Sequence, residues 1–405
     1  MEPTTVVNNK RVNRMLVLAM GMLGMMTAGI GYAWSVMQPY VMEHYALDAS
    51  AASVPFSINL GIFVIGSIFG GKLQGKMPIN RVLLIGVVIN AVGMFLSGLI
   101  PVSTPWLLTV TFGLVMGVGG GIVYNTMVAA MQKYFPDRLG MATGAILSTI
   151  GLSGFVISPL ISFLLKNYNL TVMFAVIAAI TLVIGLISCM FVKNPPAGYM
   201  QDYKPASTTK IQTTSKQYSP SEMVKTRYYY TMLISFFLAV PGFMLINPQF
   251  VVLSSERLIT SAQALTAVML AAVLQAAGRI IVPSISDKIG RKITLVTVFI
   301  LSAATISGLV VAKGLLYPAL FIALAFLYGG FLGTYPALST DYFGTKNAGI
   351  NYALVMVGFG MASVLCPVLV RAVRGTELGT PLSFAIAGGA SLIGLLLMLS
   401  LKKPK

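Results

Sequence analysis

The chain has 405 residues, 57% of them hydrophobic and only 9% charged, with a mean hydropathy of +0.86. A soluble domain carries about 25% charged residues, so the composition excludes a soluble globular protein and indicates an integral membrane protein. The net charge of +17 would suit a nucleic-acid binder, but the basic residues gather in polar turns on one side of the apolar runs, which excludes that class.

Apolar runs of about 20 residues recur along the whole length, the size of membrane helices and not of alternating barrel strands. Twelve spans are predicted: 15–38, 51–71, 82–101, 106–131, 141–165, 171–192, 228–251, 262–283, 293–312, 316–339, 348–370 and 381–401. The first follows Lys10, Arg11 and Arg14, as a signal peptide would. It is too long for a signal core and carries Tyr32, Trp34 and Gln38, so it is read as a retained span. In the second, GSIFGGKL (66–73) has the spacing of a phosphate loop, but Leu73 replaces the Ser or Thr and the context is helical. Cys189 and Cys366 lie in apolar spans and read as free thiols. The only histidine, His44, has no metal-ligand or triad company, and no nucleophile, base and orienter converge. No enzyme, metal or cofactor is expected.

The stretch 193–227, with five lysines among Ser, Thr, Pro and Gln, is the only long polar segment. It reads as a cytoplasmic linker between a bundle at 1–192 and a second at 228–405. With both termini cytoplasmic, 21 basic residues fall on the inner side and 5 on the outer. That asymmetry sets the orientation in a plasma (inner) membrane and requires an even number of spans.

The halves repeat. KYFPDRLGMATGAIL (133–147) recurs as DYFGTKNAGINYALV (341–355), and Pro159 matches Pro367, both at an offset of 208. Gln38-Pro39 matches Asn247-Pro248 at 209, and the polar turn KLQGKMPINR (72–81) occupies the place of SISDKIGRK (284–292).

One ionisable residue lies deep in a span. Arg279 is eight positions before Asp287, roughly 12 Å up a helix of about 1.5 Å rise per residue, near the middle of the hydrocarbon core. All ten acids lie in loops or at span ends, so none is predicted to pair with it. The functional reading is a bidentate clasp on a carboxylate. The alternatives are an Arg bonded to backbone carbonyls, or one snorkelling to the inner face. Asp287, Gly290, Arg291 and Lys292 read as a conformational latch that pairs charges across the inner face, against the alternative of a plain solvated loop.

A parallel repeat of six helices is the build of the major facilitator transporters, with a midplane site between the halves. PSISDKIGRK resembles the loop signature of that superfamily. GIGYAWSV (29–36), GGGIVYN (119–125), KYFPDRLGMATG (133–144), GRIIVPSISDKIGRK (278–292) and YGGFLGTYPALSTDYFGT (328–345) resemble its oxalate/formate antiporter family, which is similar to monocarboxylate transporters. The resemblance implies an all-α membrane protein of twelve helices in two pseudo-symmetric six-helix bundles. It places Tyr32, Tyr124 and Tyr328 on cavity-lining helices as hydroxyl donors, with Trp34, Asn125 and Gln275 as further contacts. The three tyrosines have an alternative reading as interfacial or packing residues.

Two departures bear on substrate and coupling. The oxalate exchanger carries a second cation in helix eleven where this chain has Phe359, read here as an apolar wall. Animal monocarboxylate carriers place an Asp one turn before the helix-eight arginine, where this chain has Gln275. In the first-half turn, Gly75 takes the place of the loop aspartate. The expected function is a secondary carrier of small monocarboxylates such as lactate, pyruvate or formate, acting as a monomer in membrane lipid by proton coupling or exchange. Oxalate/formate exchange, and a carboxylate sensor or channel, are the alternatives.

Overall fold

In lipid each backbone N–H and C=O must be satisfied within its own segment, so long uncharged runs form helices. The computed structural model describes residues 13–196, 199, 216–250, 253, 256–374 and 379–402. Among these there are helices and connections but no strand. Most of the predicted linker, and with it Lys204 and Lys210, lies outside the described residues, as do Lys10, Arg11, Lys403 and Lys405.

The first half comprises α1 (Arg14–Tyr45), α2 (Ala49–Gln74), α3 (Ile79–Ser97), α4 (Thr109–Tyr134), α5 (Leu139–Asn167) and α6 (Leu170–Phe191). The second comprises α7 (Arg227–Ala239), α8 (Ser261–Ile289), α9 (Arg291–Val311), α10 (Leu316–Phe343), α11 (Ala348–Val370) and α12 (Gly379–Ser400). Eleven of these helices are long and apolar enough to cross a membrane. The predicted seventh span, 228–251, is instead α7 followed by two short helices, Pro241–Met244 and Asn247–Phe250. Pro241 has no N–H to continue α7, so the path turns at Val240. The turn has a counterpart in α1, where Ile30–Ala33 tightens to a 3-10 helix. Tyr32 and Val240 are 208 positions apart, so both first helices of the halves bend at the matched place.

Helix neighbours repeat in the same way. α2 packs on α4 as α8 packs on α10, α3 on α6 as α9 on α12, and α1 on α5 as α7 on α11. The halves meet through α5 against α8 and α2 against α11, pairs that a two-fold axis exchanges. Thr340 Oγ1 donates to Gln132 Oε1 at 2.9 Å, a bond between two residues matched at the offset of 208, which places it on that axis. The fold is therefore two pseudo-symmetric six-helix bundles.

One end is shut. α5 and α8 approach so closely that a Cβ on Gly144 would overlap the carbonyl oxygen of Arg279. At the same end a Cβ on Gly71 of α2 would come within 2.6 Å of Ile350 Cα on α11. Small residues permit such crossings where helices must touch backbone to backbone.

Candidate functional site: an arginine in a cavity between the halves

Beyond the shut end the halves diverge around a cavity of about 620 Å³ of empty space, open solvent included. Both halves line it. Tyr32 (α1), Phe63 (α2) and Tyr124 (α4) face Arg279 (α8), Tyr352 and Phe359 (α11). Tyr32 is 41% exposed and Arg279 only 5%, so the cavity opens on the Tyr32 side and the arginine is buried.

Arg279 Nη1 donates to the Leu147 carbonyl at 2.9 Å, a bond from α8 to α5 across the halves. Its Nε is buried and has no hydrogen-bond partner among the described residues. None of the ion pairs among those residues involves Arg279. The sequence-level alternative of an Arg bonded to backbone carbonyl thus accounts for one of its five N–H donors. A cation deep in a membrane span costs about 3 kcal/mol, and a carboxylate in the cavity would offset it with charge-assisted bonds.

The floor of the cavity is a hydroxyl pair. Tyr124 and Tyr352 oxygens lie 2.8 Å apart, one from each half, and both side chains are buried. The Tyr124 ring meets Phe63 edge-on at 5.1 Å. Tyr352 was not singled out in the sequence. It lies seven residues before Phe359, two helical turns along one face, and that spacing was the available signal. Phe359 is buried against Phe236 at 5.7 Å between centroids and walls the cavity with carbon.

The other singled-out residues stand elsewhere. Trp34 donates through Nε1 to the Ala52 carbonyl at 3.1 Å and packs on Phe112. Tyr328 is buried in a stack on Phe243, 4.8 Å between centroids. Asn125 belongs to the shut end: its Nδ2 donates to Gly349 O at 2.8 Å and its Oδ1 accepts from Gln74 at 2.9 Å. Gln275 is half-buried one turn before Arg279 and is not among the cavity-lining residues. The geometry thus brings together Arg279, Tyr32, Tyr124 and Phe359 and leaves Trp34, Tyr328, Asn125 and Gln275 outside.

Of the four residues read as a latch, Asp287, Gly290 and Arg291 lie together at the shut end, and Lys292 turns away toward α12. Asp287 accepts from the N–H of Gly140 at 2.9 Å and of Met141 at 3.0 Å, capping α5 across the halves. Arg291 Nη2 lies 2.6 Å from the Asp287 carboxylate, and its Nε donates to Asp341 at 2.9 Å. Gly290, at φ +98°, makes the turn that brings Arg291 back under α8, a conformation that a side chain would strain. Lys292 Nζ donates to the Leu399 carbonyl at 2.7 Å, at the end of α12. Asp341 is buried at 4% exposure and was not singled out beforehand. Its signal was a change of sign within the repeat, since its first-half match is Lys133.

Comparison with known proteins agrees with this build. The family model described as Major Facilitator Superfamily matches residues 16–335 and 232–405. The chain is 24% identical over 385 residues to the oxalate:formate antiporter of Oxalobacter formigenes, covering 94% of this chain and 90% of that protein. Over 152 residues it is 30% identical to monocarboxylate transporter 13 of Rattus norvegicus, 37% of this chain and 35% of that one. In fold it is similar to the crystal structure of the transporter FucP in the outward conformation, with a TM-score of 0.72 at 14% identity, covering 95% and 98% of the two chains. These relatives are transporters and not enzymes. With the family model running over both halves and the fold matching along nearly the whole chain, this multi-pass membrane protein belongs to the Major Facilitator Superfamily of transporters.

Proposed function

We propose that the chain carries small monocarboxylates across the membrane by alternating access, with Arg279 as the clamp on the carboxylate. The observation that carries this reading is a buried guanidinium in a cavity between two halves, with a free Nε and no acid beside it among the described residues. Tyr124 and Tyr352 supply neutral donors below it, and Phe359 supplies carbon for the substrate's short body. The names of the relatives, an oxalate:formate antiporter and a monocarboxylate transporter, fit a carboxylate substrate.

The halves are assigned as 1–192 and 228–405, joined by a linker at 193–227, with both termini in the cytoplasm of a plasma membrane. In that orientation the shut end is cytoplasmic, the cavity is outward-open, and the residues Asp287, Gly290, Arg291 and Lys292 latch it. The protein acts as a monomer, with protons or a second anion as coupling partner. Oxalate exchange is the second reading, favoured by the relative's name and disfavoured by Phe359. Uptake of labelled lactate, formate and oxalate into proteoliposomes, with and without a pH gradient, tests the proposal. Lactate or formate uptake exceeding that of oxalate is expected, and oxalate uptake alone contradicts it.

A further inference from the structure

The latch of the second half has a pseudo-symmetric counterpart in the first, and both of its acids are missing there. Gly75 takes the place of Asp287 in the matched turn, and Lys133 matches Asp341 at the offset of 208. The helix start capped by Asp287, at Gly140 and Met141, matches Ala348 and Gly349 at the start of α11. That start has no side-chain cap: Asn347 makes no capping bond, and among the described residues the Ala348 N–H reaches only the Thr345 carbonyl, at 3.4 Å.

A recess stands where the carboxylates would be. It holds about 760 Å³ of empty space, open solvent included, between the turn at Gly75 and the start of α11. Lys72, Lys76 and Lys133 line it from the first half and Lys346 from the second, with no acidic side chain lining it among the described residues. None of the four lysines has an ion-pair partner among the described residues. Four lysines, three exposed and Lys133 half-buried, and an uncapped helix start thus line one space from both halves. Their mutual repulsion works against closure of this end, and an anion reverses its sign.

We propose that this recess binds a multivalent phosphate-type oxyanion from the cytoplasmic side, free or on a lipid headgroup. The anion replaces the two missing carboxylates, caps α11 and holds the cytoplasmic end shut. The recess needs both halves together, so the anion binds the closed end and not the open one. At ten times its Kd such a ligand multiplies the closed-to-open ratio about eleven-fold. The inference rests on the alternating-access reading but not on which acid is carried.

The test uses the full chain with a reporter at Leu60, which lines the cavity, as Leu60→Cys in a background of Cys189→Ser and Cys366→Ser. In detergent micelles the probe is labelled inorganic pyrophosphate. In vesicles it is phosphatidylcholine with or without one-fifth cardiolipin. Saturable pyrophosphate binding in micelles, or a several-fold rise in outer-side labelling of the cavity cysteine in the cardiolipin vesicles, is expected. Pyrophosphate acting in micelles identifies a soluble anion, and cardiolipin acting alone identifies a headgroup. Lys133→Gln with Lys346→Gln, or independently Lys72→Gln with Lys76→Gln, should weaken the effect at least ten-fold, while Lys166→Gln at the opposite end leaves it unchanged. Absence of any effect from both probes, or its survival in both lysine pairs, overturns the proposal. Neither readout involves the transported acid, so failure here is separable from failure of the transport reading.

Discussion

Arg279 meets its surroundings through one carbonyl and leaves Nε unsatisfied. Lysine keeps the charge but loses the planar fork, so Arg279→Lys should lose one charge-assisted bond, about 1.5–3 kcal/mol, and weaken affinity about 10- to 100-fold. The protein should still fold, as checked by unchanged size-exclusion behaviour. Tyr352→Phe removes one hydroxyl of the floor pair and leaves Tyr124 without that partner. A loss of about 1 kcal/mol, five-fold in affinity, is expected in a binding titration. Phe359→Lys sets a second cation in the cavity wall and should shift competition toward oxalate. The arginine was legible in the sequence because a lone charge in an apolar span is conspicuous. Tyr32 and Trp34 show where residue-level reading stops. Two positions apart on a helix, they differ by about 200°, so one lines the cavity and the other packs on Phe112. Motif matches name both, and only packing distinguishes them.

At the scale of the element, α8 carries both the proposed clamp and the acid of the proposed latch. Arg279 lies in its cavity half and Asp287 in its last turn, eight residues on, so a rigid α8 moves the two together. Asp287 receives two N–H bonds from α5 and an arginine. Asp287→Asn keeps a carbonyl acceptor but removes the charge, which should lower the closed-end population more than ten-fold and slow turnover more than it weakens binding. Cysteine labelling from the two sides measures this. Equal labelling in variant and parent would contradict the latch. Gly144→Leu should act in the same direction by forcing α5 from α8, because no space exists beside the Arg279 carbonyl. Long uniform spans were legible from hydropathy alone, and eleven of them are continuous helices. The break in α7 was not, because hydropathy averages over Pro241 and Gly242, although proline is itself a local signal. The pairing of Arg291 with buried Asp341 was also hidden, since it joins elements 50 residues apart.

Across the whole molecule the two-fold repeat was legible from a few matched motifs, and the structure carries it into helix neighbours and the Gln132–Thr340 contact. How the two halves meet was not legible, because side-chain facing decides it. The repeat is broken in charge, with a neutralised cluster in one half and bare lysines in the other. In the cavity, Arg279 is the only charged lining residue among the described residues. A bound monoanion therefore brings the occupied site to net zero, whereas a dianion leaves an unmatched charge beside Phe359. Pyruvate and formate should accordingly displace labelled lactate at lower concentrations than oxalate does in proteoliposome competition. With no carboxylate lining the cavity among the described residues, a coupling proton would travel on the substrate or through the tyrosines, and otherwise the carrier is an exchanger. The clamp itself is tested most directly by equilibrium binding of labelled lactate to purified protein with Arg279→Ala. The account predicts a loss of at least about 100-fold in affinity with the fold retained. Binding at the affinity of the unmodified chain would contradict it.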